Sequence, residues 1–153
     1  MKRIVLLRAL ALAVIVVTLT PAISFAKQAK YEIAGKWQGK FPAEQFNNVS
    51  DADNPIAVEV EIKEEGGKLS GTSTFYMILN ENNKPRVKGR VDVALIEPQF
   101  DGTTLRFSIK VKGQPGEPDT TKRMQMKLTS SSEADFESLD DSEAAQIKMK
   151  KAH

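Results

Sequence analysis

The sequence has no cysteine and a single histidine. The lack of cysteine excludes a disulfide scaffold, a thiolate metal site, a cysteine nucleophile and a lipid-modified N-terminal cysteine. One histidine is too few for most histidine metal sites, and this residue, His153, is the last of the chain, where we expect no fixed geometry to hold a catalytic base. A Gly-x-Ser-x-Gly motif, the nucleophile turn of many serine hydrolases, is also missing.

Acidic residues cluster in two stretches, Asp51–Asn54 and Asp140–Glu143, which could supply oxygen ligands to a metal ion. Neither stretch has the ligand spacing or the central glycine of an EF-hand loop, so solvated surface loops are the simpler interpretation. We therefore predict no catalytic residue, no metal ligand and no cofactor, and we interpret the protein as not being an enzyme.

Residues 1–26 contain no acidic residue and have the features of a secretory signal peptide. A basic start is followed by the apolar stretch Ala9–Leu19, and Ser24 and Ala26 supply small residues at the −3 and −1 positions of a cleavage site. The alternative is a membrane anchor, but a span needs about 20 apolar residues. We predict cleavage after residue 26, a periplasmic or secreted location, and no transmembrane span after cleavage.

The remaining domain, residues 27–153, is nearly neutral. Removing Lys2, Arg3 and Arg8 from the 22 basic residues leaves 19 against 20 acidic ones, a net charge of −1. Only 9 glycines and 7 prolines occur and 41% of the chain is hydrophobic, which excludes a wholly disordered or fibrous protein. We predict one globular domain.

Hydrophobic and polar residues alternate along most of this domain. The alternating runs are Lys36–Phe41, Ile56–Lys63, Leu69–Leu79, Val87–Leu95, Leu105–Lys112, Arg123–Leu128 and Ala145–Lys150. Alternation predicts strands with one buried and one solvated face, as in antiparallel sheets, and Gly66-Gly67 and Asp101-Gly102 predict hairpin turns. We predict an all-β fold, an up-and-down antiparallel β-barrel of seven to eight strands, because pairing the first and last strands removes exposed edges.

The segment Ser130–Leu139 admits two interpretations. Ser130 and Glu133 fit a capping box ahead of apolar residues, which predicts a helix of two or three turns. An eighth strand, either there or within residues 41–55, is the alternative.

Three short motifs lie in order along the predicted strands. They are Gly35-Lys36-Trp37-Gln38-Gly39, Gly66-Gly67-Lys68-Leu69-Ser70-Gly71-Thr72 and Phe100-Asp101-Gly102-Thr103-Thr104-Leu105-Arg106-Phe107. The first contains a Gly-x-Trp signature, and together they resemble small secreted bacterial lipocalin-like proteins, calycin-type β-barrels of unknown function. The resemblance implies that Trp37 closes the base of the barrel against a late basic residue, Lys148 or Lys150. It also implies that Pro42–Pro55 forms a lid carrying Phe46.

The predicted interior supplies candidate ligand-binding residues. The candidates are six large apolar side chains that are predicted to face inward, together with Phe46 of the lid. They are Trp37, Phe46, Phe75, Met77, Phe107, Met124 and Met126. An eight-stranded barrel has room either for packed side chains or for one small ligand. A filled core and an apolar pocket therefore both stay open, and our first hypothesis is an exported, non-enzymatic barrel that binds a small apolar ligand.

Basic residues concentrate in the second half of the domain. Residues 84–127 hold 10 basic and 5 acidic side chains, and alternation predicts that most of the basic ones point outward. The members of this predicted basic face are Arg86, Lys88, Arg90, Arg106, Lys110, Lys112, Arg123 and Lys127. The alternative function is an interaction or inhibitor module that uses this face to bind an acidic protein or an anionic envelope surface. Nucleic acid is not expected, because no aromatic residues are interleaved for base stacking.

Overall fold

The computed structural model describes residues 30–153, so the predicted signal peptide, residues 1–26, lies outside the described residues. The described chain contains nine strands and one 3-10 helix, Ala43–Phe46. The strands are β1 Gly35–Lys40, β2 Val58–Glu65, β3 Lys68–Glu81, β4 Lys84–Ala94, β5 Ile96–Phe100, β6 Thr104–Val111, β7 Thr120–Leu128, β8 Glu133–Ser138 and β9 Ile147–Lys151. The prediction of an all-β fold is confirmed, with nine strands in place of seven to eight.

All nine strands belong to one antiparallel sheet with the order β4-β3-β2-β1-β9-β8-β7-β6-β5. Strands that follow each other in the chain are neighbours, apart from β4 and β5, and the first strand pairs with the last, with Trp37 opposite Lys151. Strands β4 and β5 occupy the two ends of this order, so the hydrogen-bonded ladder is open between them. We call the ends of the sheet the Gly35 end, where β1 starts, and the Lys40 end, where β1 stops.

The chain passes from one end of the sheet order to the other through the single residue Leu95. Strand β4 pairs with β3 and strand β5 with β6, and the backbone N–H of Leu95 donates to the carbonyl oxygen of Gly71 on β3 at 3.0 Å. Gly71 is required here, because a Cβ would overlap the carbonyl oxygen of Glu61 and the side chain of Leu95. This crossing leaves two gaps in the sheet, between β4 and β6 towards the Lys40 end and between β3 and β5 towards the Gly35 end.

Inward-facing residues of the strands form one hydrophobic core. The rings of Phe75 on β3 and Phe107 on β6 both lie 6.3 Å, centroid to centroid, from that of Phe136 on β8. Strands β3 and β8 are four positions apart in the sheet order, which in a flat sheet would mean about 19 Å at about 4.8 Å per strand. The sheet therefore curls on itself, and these three rings meet in its interior.

The helix predicted over Ser130–Leu139 is wrong, because this segment forms the turn before β8 and then β8 itself. The backbone N–H groups of Thr129 and Ser130 both donate to the carbonyl oxygen of Glu133, at 2.9 and 3.2 Å, which closes a β7–β8 hairpin instead of capping a helix. Ala134 and Phe136 are buried two residues apart, the period of a strand. Cross-strand pairing thus outweighs the local capping signal.

The predicted turn at Asp101-Gly102 joins β5 to β6. Gly102 has a φ of 99°, which only glycine adopts readily, and Asp101 Oδ1 accepts hydrogen bonds from the backbone N–H groups of Thr104 at 2.8 Å and Thr103 at 3.0 Å. These donors, with the Thr103 hydroxyl and the Arg106 guanidinium, hold the pKa of Asp101 well below its usual range. The charged carboxylate is therefore part of the turn.

Replacing Asp101 with asparagine is expected to lower the melting temperature at pH 7 and to weaken its acid dependence. A carboxyl whose pKa is lowered by folding stabilises the protein above its unfolded pKa of about 4, and this stabilisation is lost as the pH falls below that value. Between pH 6 and pH 2 the melting temperature should fall less steeply for Asp101→Asn than for the wild type. Glu65→Gln, at the exposed β2–β3 turn, is the control, and equal slopes for Asp101→Asn and wild type would contradict the prediction.

Candidate functional site

The gap between β4 and β6 is an apolar cleft with a volume of about 840 Å³. Its floor is Phe75 of β3, and its walls include Val91 and Val93 of β4 and Ile109 and Val111 of β6. Phe75 lies opposite Val91 in the β3–β4 register, and directly opposite residues project to the same face of a sheet. The alternating sequence therefore turns these side chains inward, and the open ladder leaves them uncovered.

Three apolar residues that line the cleft remain exposed to solvent to an unusual degree. Val91 is 52%, Val111 39% and Ile96 38% exposed, whereas Ile109, deeper in the cleft, is buried. Exposed apolar surface costs roughly 25 cal/mol per Å² in water, so an apolar molecule in the cleft would gain the burial of these side chains. The cleft is suited to binding and carries no assembled catalytic group.

The rim of the cleft is polar and carries two lysines, Lys110 and Lys112, and two aspartates, Asp92 and Asp119. Lys110 pairs with Asp119 at 3.3 Å, and Asp92 accepts from the Thr74 hydroxyl at 2.7 Å. The lysine also keeps the pKa of Asp119 low, with help from the backbone N–H of Gly113. Lys112 is a further rim cation, and no carboxylate of residues 30–153 lies within ion-pairing distance of it. A polar or anionic head group would find a cation here.

Trp37 lies on β1 and does not line the cleft. Its side chain is 0% exposed, and its indole N–H donates to the carbonyl oxygen of Ile33 at 2.9 Å. The ammonium group of Lys151 lies 5.5 Å from the ring centroid, so the expected partner, Lys148 or Lys150, is wrong. The reason is the register: Lys151 lies opposite the inward-facing Trp37, and Lys148 pairs instead with Asp135 at 2.5 Å.

Phe46 does not line the cleft. It is buried in the 3-10 helix, where its ring packs edge-on against Phe41 with the centroids 6.3 Å apart. The segment that carries it contacts the β3–β4 turn through a hydrogen bond of 3.2 Å from Asn47 to Asn83. The phenylalanine predicted for a lid therefore packs within its own segment.

The other predicted ligand residues divide between core, cleft and surface. Phe107, Met124 and Met126 are buried in the core, and Met77 is exposed beyond the cleft on β3. Of the seven predicted residues only Phe75 lines the cleft. Sequence reasoning missed the valines and isoleucine of β4 and β6, because alternation marks a residue as inward but does not show where the sheet is left open.

The predicted basic face is partly neutralised, and the β4–β6 cleft divides it between β4 on one side and the β6–β7 pair on the other. Five of its eight members form ion pairs, which are Lys88–Glu81, Arg90–Asp92, Arg106–Asp101, Lys110–Asp119 and Arg123–Asp140. Lys112 and Lys127 form none with residues 30–153. Arg86 was expected to point outward with Lys88 and Arg90, but a register shift after Met77 pairs it with inward-facing Leu79. A β-bulge therefore breaks the alternation.

A second polar cluster lies on the outer face of β1, β2 and β3. Glu59 accepts hydrogen bonds from Lys36 at 2.9 Å, from the Tyr76 hydroxyl at 2.8 Å and from Gln38. Burial raises the pKa of Glu59, but the hydrogen bonds from Gln38, Lys36 and Tyr76 outweigh it, so the net pKa is lowered. Each of these side chains has a hydrogen-bond partner, and the cluster links β1, β2 and β3.

Residues 30–153 contain no group of three or more metal-binding side chains, and none of their helices has the length and hydrophobicity to cross a membrane. No protein-family model, no curated protein and no solved structure matches the chain. The function is therefore inferred from the cleft and its rim.

Proposed function

We propose that the protein is a non-enzymatic binding protein that holds one small apolar molecule in the β4–β6 cleft. The observation that carries the proposal is the cleft itself, about 840 Å³ in volume, with apolar walls and a few polar rim groups. Ligand sites typically have volumes of about 300–1,000 Å³ and this combination of linings. The partly exposed Val91 and Val111 would be covered by the ligand.

We place the ligand in the β4–β6 cleft and not in the centre of the fold. The centre is occupied by the packed rings of Phe75, Phe107 and Phe136. The cleft lies to the side of this centre, between β4 and β6. Phe75 belongs both to the packed centre and to the cleft, because its ring forms the floor of the cleft. A ligand in the cleft would contact the ring of Phe75 without displacing the aromatic core.

The wider proposal is a lipocalin-like β-barrel that is exported after removal of residues 1–26. The pairing of β1 with β9 and the 6.3 Å approach of Phe75 to Phe136 support a barrel-like closure. The basic, apolar and small-residue order of residues 1–26 supports a periplasmic or secreted location.

Ligand binding is tested by native mass spectrometry of the purified protein and by titration with a fatty acid and a hydrophobic dye. We expect one bound molecule per chain, and Val111→Trp, which fills the cleft from β6, should weaken binding at least tenfold. Leu139→Trp is the matched control, because Leu139 is exposed at the end of β8 and does not line the cleft. No bound species in any of these measurements, or equal binding by both variants, would refute the proposal.

The alternative function, binding of an acidic protein or an anionic surface by the basic outer face, has a narrower basis. On β6 and β7 Arg106, Lys110 and Arg123 are each held by an aspartate, which reduces their attraction for an outside partner. The cations without such partners include Lys84 and Arg86, which lie on the β3–β4 hairpin.

A further inference from the structure

The β3–β4 hairpin projects beyond the rest of the sheet at the Lys40 end. Strand β2 begins at Val58, opposite Phe75. The last backbone hydrogen bond from β3 to this side of the sheet runs from the N–H of Tyr76 to the carbonyl oxygen of Ala57, at 2.9 Å. From Met77 onward β3 pairs with β4 alone. We call residues 77–89 the arm.

Apolar side chains emerge from both faces of the arm. Met77 and Leu79 lie on the inward face of β3 and are 59% and 55% exposed. The β-bulge pairs Ile78 with Val87 on the opposite face, where Val87 is also exposed. The chain itself partly covers this opposite face, since Pro85 is buried, Ile78 is half-buried and Asn47 donates a hydrogen bond to Asn83, so the inward face is the one free to meet a flat apolar surface.

The arm is also basic. Its two cations without a carboxylate partner among residues 30–153 are Lys84 and Arg86, while Lys88 neutralises the one acidic residue, Glu81, at 2.7 Å. Arg86 shares the face of Leu79, so a cation stands beside exposed apolar surface. This arrangement matches the boundary of a lipid bilayer, where phosphate groups adjoin hydrocarbon.

We propose that the arm docks the protein on an anionic lipid bilayer. The arm lies flat on the bilayer, so Met77 and Leu79 of the inward face enter the boundary between head groups and acyl chains, and Lys84 and Arg86 on the same face contact the lipid phosphates. The polar turn that joins β3 to β4 stays at the level of the head groups, so insertion is shallow. The proposal stands on the arm alone and goes beyond the proposed ligand cleft.

Vesicle flotation tests the proposal, with the protein as the cell exports it and its N-terminus read by mass spectrometry. We expect binding to phosphatidylglycerol-containing vesicles, little binding to pure phosphatidylcholine vesicles, and release at high salt. Leu79→Ser should weaken binding to the anionic vesicles several-fold, and Lys84→Glu with Arg86→Glu should weaken it at least tenfold. The matched controls, Leu139→Ser and Lys68→Glu with Lys150→Glu, change exposed residues outside the arm and should leave binding unchanged.

Three results would overturn the proposal. The first is equal vesicle binding by the arm variants and their controls, and the second is equal binding to neutral and anionic vesicles. The third is the absence of vesicle binding, and a dimer that the Leu79→Ser change dissociates would then make the arm a contact between copies of the chain. Val111→Trp separates this proposal from the ligand cleft, because it should weaken ligand binding at least tenfold and leave vesicle binding intact.

Discussion

Replacing Trp37 with alanine is expected to reduce the free energy of unfolding by about 3–5 kcal/mol, the range for truncation of a large buried aromatic side chain. The indole is 0% exposed, so its removal leaves a cavity at the Gly35 end of the core. The carbonyl oxygen of Ile33 also loses its donor, and the Lys151 ammonium group loses the ring beneath it. Denaturant unfolding followed by circular dichroism measures the loss.

The wild type supplies an independent check, because Trp37 is the one tryptophan of the sequence. Its emission should be blue-shifted in the native protein and move to longer wavelength on unfolding. Since domains of this size have about 5–15 kcal/mol of stability, Trp37→Ala could fail to fold, and Trp37→Phe should then show a smaller loss. Native emission at the wavelength of free tryptophan, or a cost below about 1 kcal/mol for Trp37→Ala, would contradict the structure.

Replacing Phe136 with alanine is expected to cost a similar amount, about 3–5 kcal/mol, for a different reason. Its ring stands between Phe75 and Phe107, each 6.3 Å away, and is the link that joins β3, β6 and β8 across the interior. Its removal should open an apolar cavity beneath the β4–β6 cleft. Thermal and denaturant unfolding give the cost, and uptake of a small apolar probe such as xenon or benzene reports the cavity.

Phe136→Leu is the control for this prediction. Leucine keeps most of the buried apolar surface, so we expect a smaller loss of stability than for alanine and weaker uptake of the probe. A loss below about 1 kcal/mol for Phe136→Ala would mean that the interior collapses readily around the gap. The picture of three rings packed together inside the curled sheet would then be wrong.

The general form of the fold could be predicted because it depends on alternation, which is local. Along Ile56–Lys63 and Leu105–Lys112 each second residue is apolar, and a one-residue slip would turn that whole set to solvent. The hairpin turn at Asp101-Gly102 was predictable for the same reason, since its requirements lie within a few residues.

Features that depend on contacts between distant strands could not be predicted. Strand β5 is short, contains Pro98 and has Glu97 in the left-handed region at a φ of 49°, so its sequence has little resemblance to a strand. The bulge that turns Arg86 inward and the choice of Lys151 as the partner of Trp37 both follow from register, which the sequence of one strand does not contain.

The candidate site shows the same division. The inward direction of Phe75 was predictable. The cleft exists because at Leu95 the chain leaves β4, which pairs with β3, and enters β5, which pairs with β6, so that β4 has no second neighbour. That crossing depends on the close approach of Leu95 to Gly71. No local pattern separates a valine that faces a cleft from one that faces the core.

The pairing of β1 with β9 has a consequence for the time at which the protein can fold. Strand β9 lies between β1 and β8, and its last residue, Lys151, covers Trp37. While residues 147–151 are still unmade, both neighbouring strands have an open edge and the indole lacks its cover. The sheet is therefore completed only after synthesis has reached β9, and until then the strands already made keep unpaired edges that favour aggregation.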